Sequence, residues 1–278
     1  MQFLVITMCR VLETSRSGYY AWRRAGPSVR STADLALRCE LVRVHAQHRY
    51  APGALKTWKI LNREGIPCGK HRVARLRKLD ELEARRRSRY RVMQAHQHSE
   101  PAAVDLVKRA FIVAHPNRVW VGNMTAIRTR EGWLHLAIVL DLFARRVVGW
   151  SMDITQAATL PIAALKMAIA QRQPGAGLIC HTDQGTVYSS SSYRSVLAKH
   201  ALLPSMSRRG NCHDNAVAES FFSSLKNEIT HERMFTTRAE AKSAISDYIE
   251  VYYNRMQLHQ TLGYRTPVEV EASYKVLH

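Results

Sequence analysis

The sequence has few acidic residues for its number of basic ones. Its 278 residues include 22 Asp and Glu against 41 Lys and Arg, which gives a net charge of +19. Such an imbalance predicts attraction to polyanions, nucleic acid first and an anionic membrane second. The excess is uneven, because residues 1–100 contain 21 Lys and Arg against 8 Asp and Glu, and residues 101–278 contain 20 against 14. The first third is therefore the most basic part of the chain.

Paired cysteines and long apolar runs are also missing. The five cysteines are scattered, odd in number and without C-x-x-C spacing, which argues against a disulfide framework and fits a reducing cytosol. His45 and His48 have no cysteine pair at zinc-finger spacing, so we expect no structural zinc. No apolar run reaches the ~18 residues of a membrane span, and the N-terminus lacks a positive leader and a cleavage site. The apolar fraction of 46% is enough for a folded core.

The first residues read as two short helices. The apolar stretch 3–24 is interrupted at Ser15–Gly18, where Ser17 is the predicted cap of the second helix. This pattern fits either a small helix-turn-helix fragment or a packing arm. Gly26-Pro27 then marks a boundary.

Three further short helices follow, at 33–48, 53–64 and 69–83. They suit a helix-turn-helix domain whose last helix lies against DNA, or a helical bundle with a solvated basic face. A basic run from 85 to 99 comes next and reads as a linker that could also follow phosphates. The predicted DNA contacts in this region are Lys70, Arg72, Arg75, Arg77, Lys78, Arg85, Arg86 and Arg87.

From residue 117 the pattern becomes strand-like. Three strands separated by short breaks predict antiparallel hairpins, and two more strands alternate with helices. The predicted strands are 119–128, 133–142, 145–153, 177–181 and 202–206, and the predicted helices are 156–171, 191–200, 215–229 and 237–253. The order βββαβαβα is that of a ribonuclease-H-like sheet. After the last helix, Gly263 and Pro267 are expected to end regular structure.

Two acidic residues are placed for chemistry. Asp183 directly follows the apolar run of a strand, and Gly185 after it allows a tight turn and the close approach of a ligand. Glu219 lies in the helix 215–229, on the polar face that also contains Lys226. Lys226 suits a phosphate contact. Asp183 could equally be an ordinary turn residue, and the polar face could simply point to water.

Motifs along nearly the whole chain resemble one family. They are RSGYYAW, EGWLHLAIVLDLFARRVVGW, HTDQGTVY, SRRGNCHDNAVAESFFSSLKNE and YNRMQLHQTLGY followed by TP. In order and spacing they resemble the transposase encoded by the second reading frame of bacterial insertion sequences. That family belongs to the DDE superfamily together with retroviral integrases.

The resemblance implies three catalytic carboxylates. Asp183 and Glu219 match the second and third, with 35 residues between them. The first falls at position 123, in a segment that usually reads aspartate–isoleucine–threonine and here reads Asn123-Met124-Thr125. Asparagine has the shape of aspartate but no charge, and it offers one carbonyl oxygen where a carboxylate would bridge two metals. We therefore expect this form to be weak or inactive.

The implied cofactor is Mg²⁺ or Mn²⁺, two ions per site, held by Asp183, Glu219 and the oxygen of Asn123. Two such ions ~3.5–4 Å apart activate the attacking oxygen and stabilise the leaving one. Asp141 is the nearest spare carboxylate, and we interpret it as structural, with compensation for the missing acid as the alternative. Asn123 could come from a decayed copy, a repurposed DNA-binding protein or a deliberate substitution.

The predicted architecture is α/β. A ribonuclease-H-like, integrase-type core with a mixed five-stranded sheet and flanking helices follows a small all-α, helix-turn-helix-like domain. The predicted parts are a helical arm (1–28), the helix-turn-helix-like domain (29–84), a basic linker (85–112), the catalytic core (113–232), and a C-terminal helix and tail packed on the core (233–278).

By resemblance, the predicted function is DNA transposition through strand cleavage and attack by the freed 3′-hydroxyl. The implied partners are DNA at the element ends and target, further copies of the chain in a dimer or higher multimer, and the upstream-frame transposase protein, with no membrane. The expected location is the bacterial cytoplasm, at the nucleoid. The alternative is a non-catalytic DNA-binding protein derived from a transposase. An RNA-cleaving ribonuclease H is disfavoured by the large basic N-terminal region.

Overall fold

The computed structural model of the protein describes residues 4–85, 103–208, 215–230 and 234–277. The chain forms two compact units, with the boundary between Ala84 and Arg85. The predicted DNA contacts Arg86 and Arg87 lie outside the described residues. Within the described ranges, every helix is too short or too polar to cross a membrane, and the four cysteines they contain are free.

The N-terminal unit is entirely helical. Ser15, and not the predicted Ser17, caps the second helix, because its side chain accepts a hydrogen bond from the Gly18 N–H at 2.9 Å. The apolar residues Leu41, Leu61 and Leu76 are buried where the last three helices meet. The helices are α1 (Val5–Val11), α2 (Arg16–Arg24), α3 (Val29–Gln47), α4 (Ala54–Arg63) and α5 (Lys70–Leu79).

Arg77 lies inside this helical unit and is only 4% exposed. Its guanidinium donates to the Thr57 hydroxyl at 3.0 Å and to the carbonyl oxygens of Pro52 at 3.0 Å and Leu82 at 2.7 Å. A buried charge is tolerated only when its donors are satisfied, as they are here. The prediction that Arg77 contacts DNA is therefore wrong, because the side chain stabilises the helical packing and cannot reach a phosphate.

The C-terminal unit contains the predicted five-stranded mixed sheet. Its spatial order is β3-β2-β1-β4-β5, with β1, β2 and β3 antiparallel and with β4 parallel to both β1 and β5. The sheet and its crossovers confirm the ribonuclease-H-like architecture predicted from the order of elements. The strands are β1 (Val119–Thr129), β2 (Gly132–Asp141), β3 (Arg146–Asp153), β4 (Ile179–Thr182) and β5 (Leu203–Met206).

The helices of this unit depart from prediction in two places. A short helix follows Asp183, and Pro267 begins a helix where it was expected to end regular structure. Proline is favoured at the first helical position, because its missing N–H would be unpaired there in any case. The helices are α6 (Thr159–Arg172), α7 (Thr186–Ser189), α8 (Ser191–Lys199), α9 (Ala216–Ile229), α10 (Arg238–Asp247) with a π-helical continuation (Tyr248–Tyr253), and α11 (Pro267–Leu277).

Helices cover both faces of the sheet. Alternate residues along a strand point to opposite faces, so Trp120 packs with α6 and Val121 packs with α9 and α10. Contact with α6 is close at Gly149, where an added Cβ would lie 2.2 Å from the carbonyl oxygen of Ala164. Most of β2 is thus buried on both sides, which explains the continuous apolar run 136–140 in its sequence.

A buried ionic network ties α11 to the sheet. Arg172, at the end of α6, donates to both carboxylate oxygens of Glu271 at 2.7 and 2.9 Å, and to Asp141 at 3.3 Å. Asp141 is fully buried and also accepts from the backbone N–H groups of Asn117 at 2.8 Å and Phe143 at 3.0 Å. These contacts agree with the structural interpretation of Asp141.

A second buried carboxylate links α9 to the C-terminal segment. Glu228 accepts hydrogen bonds from the Tyr248 hydroxyl at 3.3 Å and from Gln257 at 3.2 Å. Its backbone carbonyl accepts from Arg85 at 3.1 Å. The predicted phosphate contact Arg85 thus already has a partner on α9.

Removing the cation from the Arg172 network should destabilise the protein. Arg172→Met removes the cation that pairs with buried Asp141 and one of the two cations that pair with Glu271, the other being Arg146. We expect a loss of about 3–5 kcal/mol in the free energy of unfolding, measured by urea denaturation. Arg128→Met, on an exposed side chain of β1, is the control and should change little. An equal loss in both variants would contradict the role of the network.

The loss in Arg172→Met should shrink on acidification. Burial raises the pKa of Asp141, offset in part by the N–H groups of Asn117 and Phe143 and by Arg172. The folded state therefore binds a proton more tightly than the unfolded state, so the contribution of Asp141 to stability falls as pH rises above its unfolded pKa. Without Arg172 the pKa of Asp141 in the folded state rises further. The free energy of unfolding of Arg172→Met should therefore differ less from that of wild type at pH 5 than at pH 7.5.

Candidate active site

The parallel pairing of β1 with β4 brings two predicted site residues together. Val121 lies opposite His181 in the register. Continuing the register by two places sets Asn123 beside Asp183, the first residue after β4, and paired strands lie roughly 4.8 Å apart. Residues two apart on a strand share a face, so both positions belong to the α9 side of the sheet.

Asn123 is 9% exposed and lies in the middle of the sheet, where it pairs with Ile138 of β2. Its side-chain oxygen accepts a hydrogen bond from the N–H of Met124 at 2.7 Å. A carbonyl oxygen has two lone pairs, so this bond leaves one acceptor position on Asn123. The side chain therefore offers the site a neutral oxygen and no negative charge.

Asp183 is half-buried, in the turn between β4 and α7. Its Oδ1 accepts a hydrogen bond from the N–H of Gly185 at 3.0 Å, and a Cβ added at Gly185 would lie 2.9 Å from the same oxygen. A larger residue at position 185 would therefore displace the carboxylate. Asp183 is thus a turn residue, and this is compatible with the other interpretation from the sequence, a residue of the candidate site.

Glu219 lies in the first turn of α9, which packs against β1. The N-cap residue of this helix, Asn215, is buried and donates from Nδ2 to the carbonyl oxygen of Gly122 at 3.4 Å. Residues four apart on a helix lie on one side, so Glu219 follows Asn215 one turn further along α9. The bond to Gly122 thus fixes the start of the helix beside Asn123.

The polar face of α9 is a narrow, half-buried strip. Glu219, Ser223 and Lys226 lie along it, and the residues on either side are mostly buried. Burial lowers the pKa of Lys226. The face is therefore partly shielded from water, and whether it points to a site stays a prediction.

Asn215 was not among the site residues predicted from the sequence. Its Oδ1 is buried and has no hydrogen-bond partner among the described residues. Unsatisfied buried acceptors are costly, and a cation or an ordered water would satisfy this one. The sequence signal was a small polar residue directly before a helix, which also has the ordinary explanation of a helix cap.

His181 was also missed. It is fully buried beneath the site, with Nδ1 at 2.9 Å from the Ser205 hydroxyl and at 3.9 Å from Asp105 Oδ1. Ser205 in turn accepts from the N–H of Leu106 at 2.9 Å. This chain of contacts joins the end of β4, β5 and the segment before the sheet, and so supports the turn that carries Asp183.

Asp141 does not reach this site. It pairs with Trp120 across β1 and β2, so it belongs to the α6 face, whereas Asn123 belongs to the α9 face. Its carboxylate is occupied by Arg172 and two backbone N–H groups. The alternative that Asp141 compensates for the missing acid is therefore excluded by its position.

The donor set of the site suits a hard divalent cation but falls short in charge. It comprises two carboxylates and an amide oxygen, which are the ligand types that Mg²⁺ accepts. Nowhere in the described part of the chain do three His, Cys, Asp or Glu side chains group as metal ligands. The three candidate side chains thus offer two carboxylates and one neutral amide oxygen.

The predicted DNA contacts on α5 differ in their surroundings. Lys70 and Lys78 are exposed. Arg72 and Arg75 both pair with Asp34 of α3, with Arg72 Nε at 2.7 Å from the carboxylate. These bonds to Arg75 and Arg72 lower the pKa of Asp34. Two of the four surface positions on this helix thus have their charge largely neutralised within the unit.

Comparison with known proteins gives three family matches. Two models described as "Integrase core domain" match residues 113–212 and 200–267, and one described as "HTH-like domain" matches residues 32–90. The matches to the core cover the sheet, Asn123, Asp183 and Glu219.

Two named relatives align over almost their whole length. The chain is 39% identical to an insertion element IS600 uncharacterized 31 kDa protein of Shigella sonnei, covering 96% of this chain and 98% of that protein. It is 36% identical to the transposase InsF for insertion sequence IS3A of Escherichia coli, covering 97% of this chain and 94% of that protein.

Among solved structures, a chain of a simian T-cell lymphotropic virus intasome in complex with PP2A regulatory subunit B56 gamma aligns at 15% identity, with 83% of this chain and 73% of that chain covered and a TM-score of 0.48. The HTLV-2 integrase catalytic core domain in complex with magnesium aligns at 17% identity, with 56% of this chain and 96% of that chain covered and a TM-score of 0.43.

The sequence matches assign the family. The chain matches the integrase core and the helix-turn-helix-like domain, and it has relatives above 30% identity along almost its whole length. The protein therefore belongs to the IS3-type insertion-sequence transposases.

Proposed function

We propose that this chain is built for metal-dependent DNA strand cleavage and 3′-hydroxyl strand transfer, and that Asn123 makes this form weak or inactive. The observation that supports the proposal is the parallel register of β1 and β4, in which Val121 pairs with His181. Continued by two residues, this register would bring Asn123 next to Asp183, and Glu219 lies one turn after Asn215, which is bonded to Gly122. Asn123, Asp183 and Glu219 are the three positions that the family resemblance assigns to catalytic acids. The match to the integrase core and to a named transposase supports the reaction class.

The proposed cofactor is Mg²⁺ or Mn²⁺, in two ions, held by Asp183, Glu219 and the amide oxygen of Asn123. When bound, the ions activate the attacking oxygen and stabilise the leaving one. The buried, unsatisfied oxygen of Asn215 lies at the same end of α9 and supports a cation or its water there. With one carboxylate fewer, metal binding should be weak.

The chain's own contribution is to hold and orient the substrate. Lys226 lies two turns after Glu219 on the half-buried strip of α9, where its cation is suited to a phosphate of the bound strand. Asp183 accepts a hydrogen bond from the N–H of Gly185, and buried His181 lies two residues before it at the end of β4. Fixed ligands of this kind supply the positioning on which phosphoryl transfer depends.

The proposed partners are DNA, further copies of the chain and an upstream-frame protein, in the bacterial cytoplasm. The high net charge and the helix-turn-helix-like domain support the DNA partner. Arg85 is a weaker candidate for a DNA contact than Lys70 or Lys78, because it already donates to the carbonyl oxygen of Glu228. Lys70 and Lys78 are the strongest candidates on α5.

The second candidate function is DNA binding without catalysis. The neutral side chain at position 123 favours it, because the fold and the basic surface remain while one of the three charges is missing. The two candidates differ only in chemistry at the site, and restoring the acid separates them.

Restoring the acid should restore metal binding. In Asn123→Asp we expect a lower unfolding midpoint in EDTA, because a charge is added beside Asp183, and a larger rise on adding millimolar Mg²⁺ or Mn²⁺ than in wild type. A tenfold gain in affinity corresponds to about 1.4 kcal/mol once the ion is in excess. Thermal-shift measurements with and without metal test this. Gln171→Glu adds the same charge on an exposed position of α6 and should show no larger metal response than wild type.

Restoring the acid should also restore cleavage. We expect Asn123→Asp to nick supercoiled DNA with Mn²⁺ on the order of a hundredfold or more faster than wild type, the size of effect seen when one preorganised charge at a reaction centre is lost. Adding Asp183→Asn or Glu219→Gln to Asn123→Asp should return the rate to background. If wild type nicks as fast as Asn123→Asp, Asn123 does not weaken the site.

DNA binding through α5 should depend on its exposed lysines. The double variant Lys70→Gln, Lys78→Gln should bind a fluorescent duplex more weakly, and the slope of log K against log salt should fall by about 2, roughly one unit per lost phosphate contact. The double variant Lys199→Gln, Lys242→Gln removes the same charge from exposed positions of α8 and α10 and is the control. Equal slopes in the two double variants would contradict a contact at α5.

A further inference from the structure

The first two helices, α1 and α2, lie before the start of every family match. The helix-turn-helix-like match begins at residue 32, whereas α1 and α2 end at Arg24. They are joined by the four residues Leu12–Ser15 and contact each other. Two short helices joined by a three- to four-residue turn are the arrangement of a helix-turn-helix motif.

The turn between them is well defined. The N–H of Thr14 donates to the carbonyl oxygen of Cys9 at 3.0 Å, which closes the end of α1. Glu13 has a φ of 52°, the left-handed conformation that turns of this kind require. Ser15 then caps α2 through the N–H of Gly18. A Cβ at Gly18 would lie 2.7 Å from the Ser15 hydroxyl oxygen, so the small residue at 18 preserves the cap.

The outer face of α2 is basic and exposed. Arg16, Tyr20, Arg23 and Arg24 follow helical spacing within roughly 100° of one face, and all four side chains are exposed. Tyr19 lies at the edge of this face, with its ring in edge contact with Tyr20 and tilted against Trp22. The helix therefore presents three guanidinium groups and a phenol on one side.

No acidic residue is available to neutralise this face locally. The sequence contains none between Glu13 and Asp34. Within the described residues, no ion pair involves Arg16, Arg23 or Arg24. The arginines of α3 and α5 differ, because Arg38 pairs with Asp80, Arg43 with Glu40 and Glu64, and both Arg72 and Arg75 with Asp34.

We infer that α1 and α2 form a second DNA-binding element, in which α2 lies against duplex DNA and Arg16, Arg23 and Arg24 contact phosphates. An α-helix is about 10–12 Å in diameter with its side chains, which suits the major groove, about 12 Å wide. Tyr20, between the arginines, has a hydroxyl that donates to phosphate or to a base edge. The inference rests on DNA as the proposed partner and needs no catalytic activity.

A competing occupant is a second copy of the chain. Trp22 is 74% exposed, and Leu4, Val11 and Leu12 are also exposed on α1 and the turn. An apolar surface of this kind suits self-association. The unneutralised positive charge beside it favours a polyanion over another copy of a chain with a net charge of +19.

The test is a triple variant of the full chain, Arg16→Gln, Arg23→Gln, Arg24→Gln. We expect duplex DNA, in fluorescence anisotropy at about 0.15 M salt, to bind about tenfold or more weakly than to wild type, and the salt slope to fall by about 3. The charge-matched control is Lys199→Gln, Lys242→Gln, Lys275→Gln, on exposed positions of the C-terminal unit. The triple variant Arg16→Lys, Arg23→Lys, Arg24→Lys keeps the charge and should retain most of the affinity and the salt slope.

Each outcome separates the inference from the proposed function. If wild type does not bind duplex DNA, both the DNA partner and the role of α2 are wrong. If wild type binds and the triple glutamine variant matches the charge-matched control in affinity and slope, only the role of α2 is wrong. A change in oligomeric mass by light scattering with unchanged DNA affinity would assign the face to self-association instead. Circular dichroism and gel filtration check that the variants are folded.

Discussion

The parallel pairing of β1 with β4 is the constraint on which the candidate site depends. It sets Asn123 and Asp183 side by side, although 59 residues separate them in the chain. Between these two positions the chain forms the two hairpins of β1, β2 and β3, and α6 then crosses one face of the sheet and leads to β4. Burial of both sheet faces makes the register hard to shift, because a slip of one residue would exchange the apolar and polar faces of each strand. The core thus fixes the register on which the candidate site depends.

Most of the architecture follows from the sequence, and the reasons are physical. Apolar runs of strand length separated by short polar breaks fix the hairpins, and the apolar stripe of Val217, Phe221 and Leu225 fixes the inner face of α9. What the sequence could not reveal depends on long-range partners. Arg77 looks like its exposed neighbours until Thr57, Pro52 and Leu82 are known to surround it. The link from Asn215 to Gly122 joins positions 93 residues apart, which no local pattern predicts.

The distribution of charge is more informative than its total. A net charge of +19 suggests that the whole N-terminal region binds a polyanion, yet the helices α3 to α5 neutralise many of their arginines with carboxylates. Ion pairs of this kind fix how helices pack but leave less charge for a phosphate backbone. The exposed lysines of α5 and the arginines of α2 are among the positive side chains of the N-terminal unit that remain available to a phosphate backbone.

The buried carboxylate of Glu228 has a consequence for where the C-terminal unit can be shortened. It lies on α9, the helix that carries Glu219, and it is held by Tyr248 and Gln257 from the C-terminal segment. A fragment that stopped after α9 would leave this carboxylate without those donors, and also Asp141 and Arg172 without Glu271. The segment after α9 thus supplies buried partners to both α9 and the sheet. A shorter piece of this chain would keep these partners only if it reached into α11.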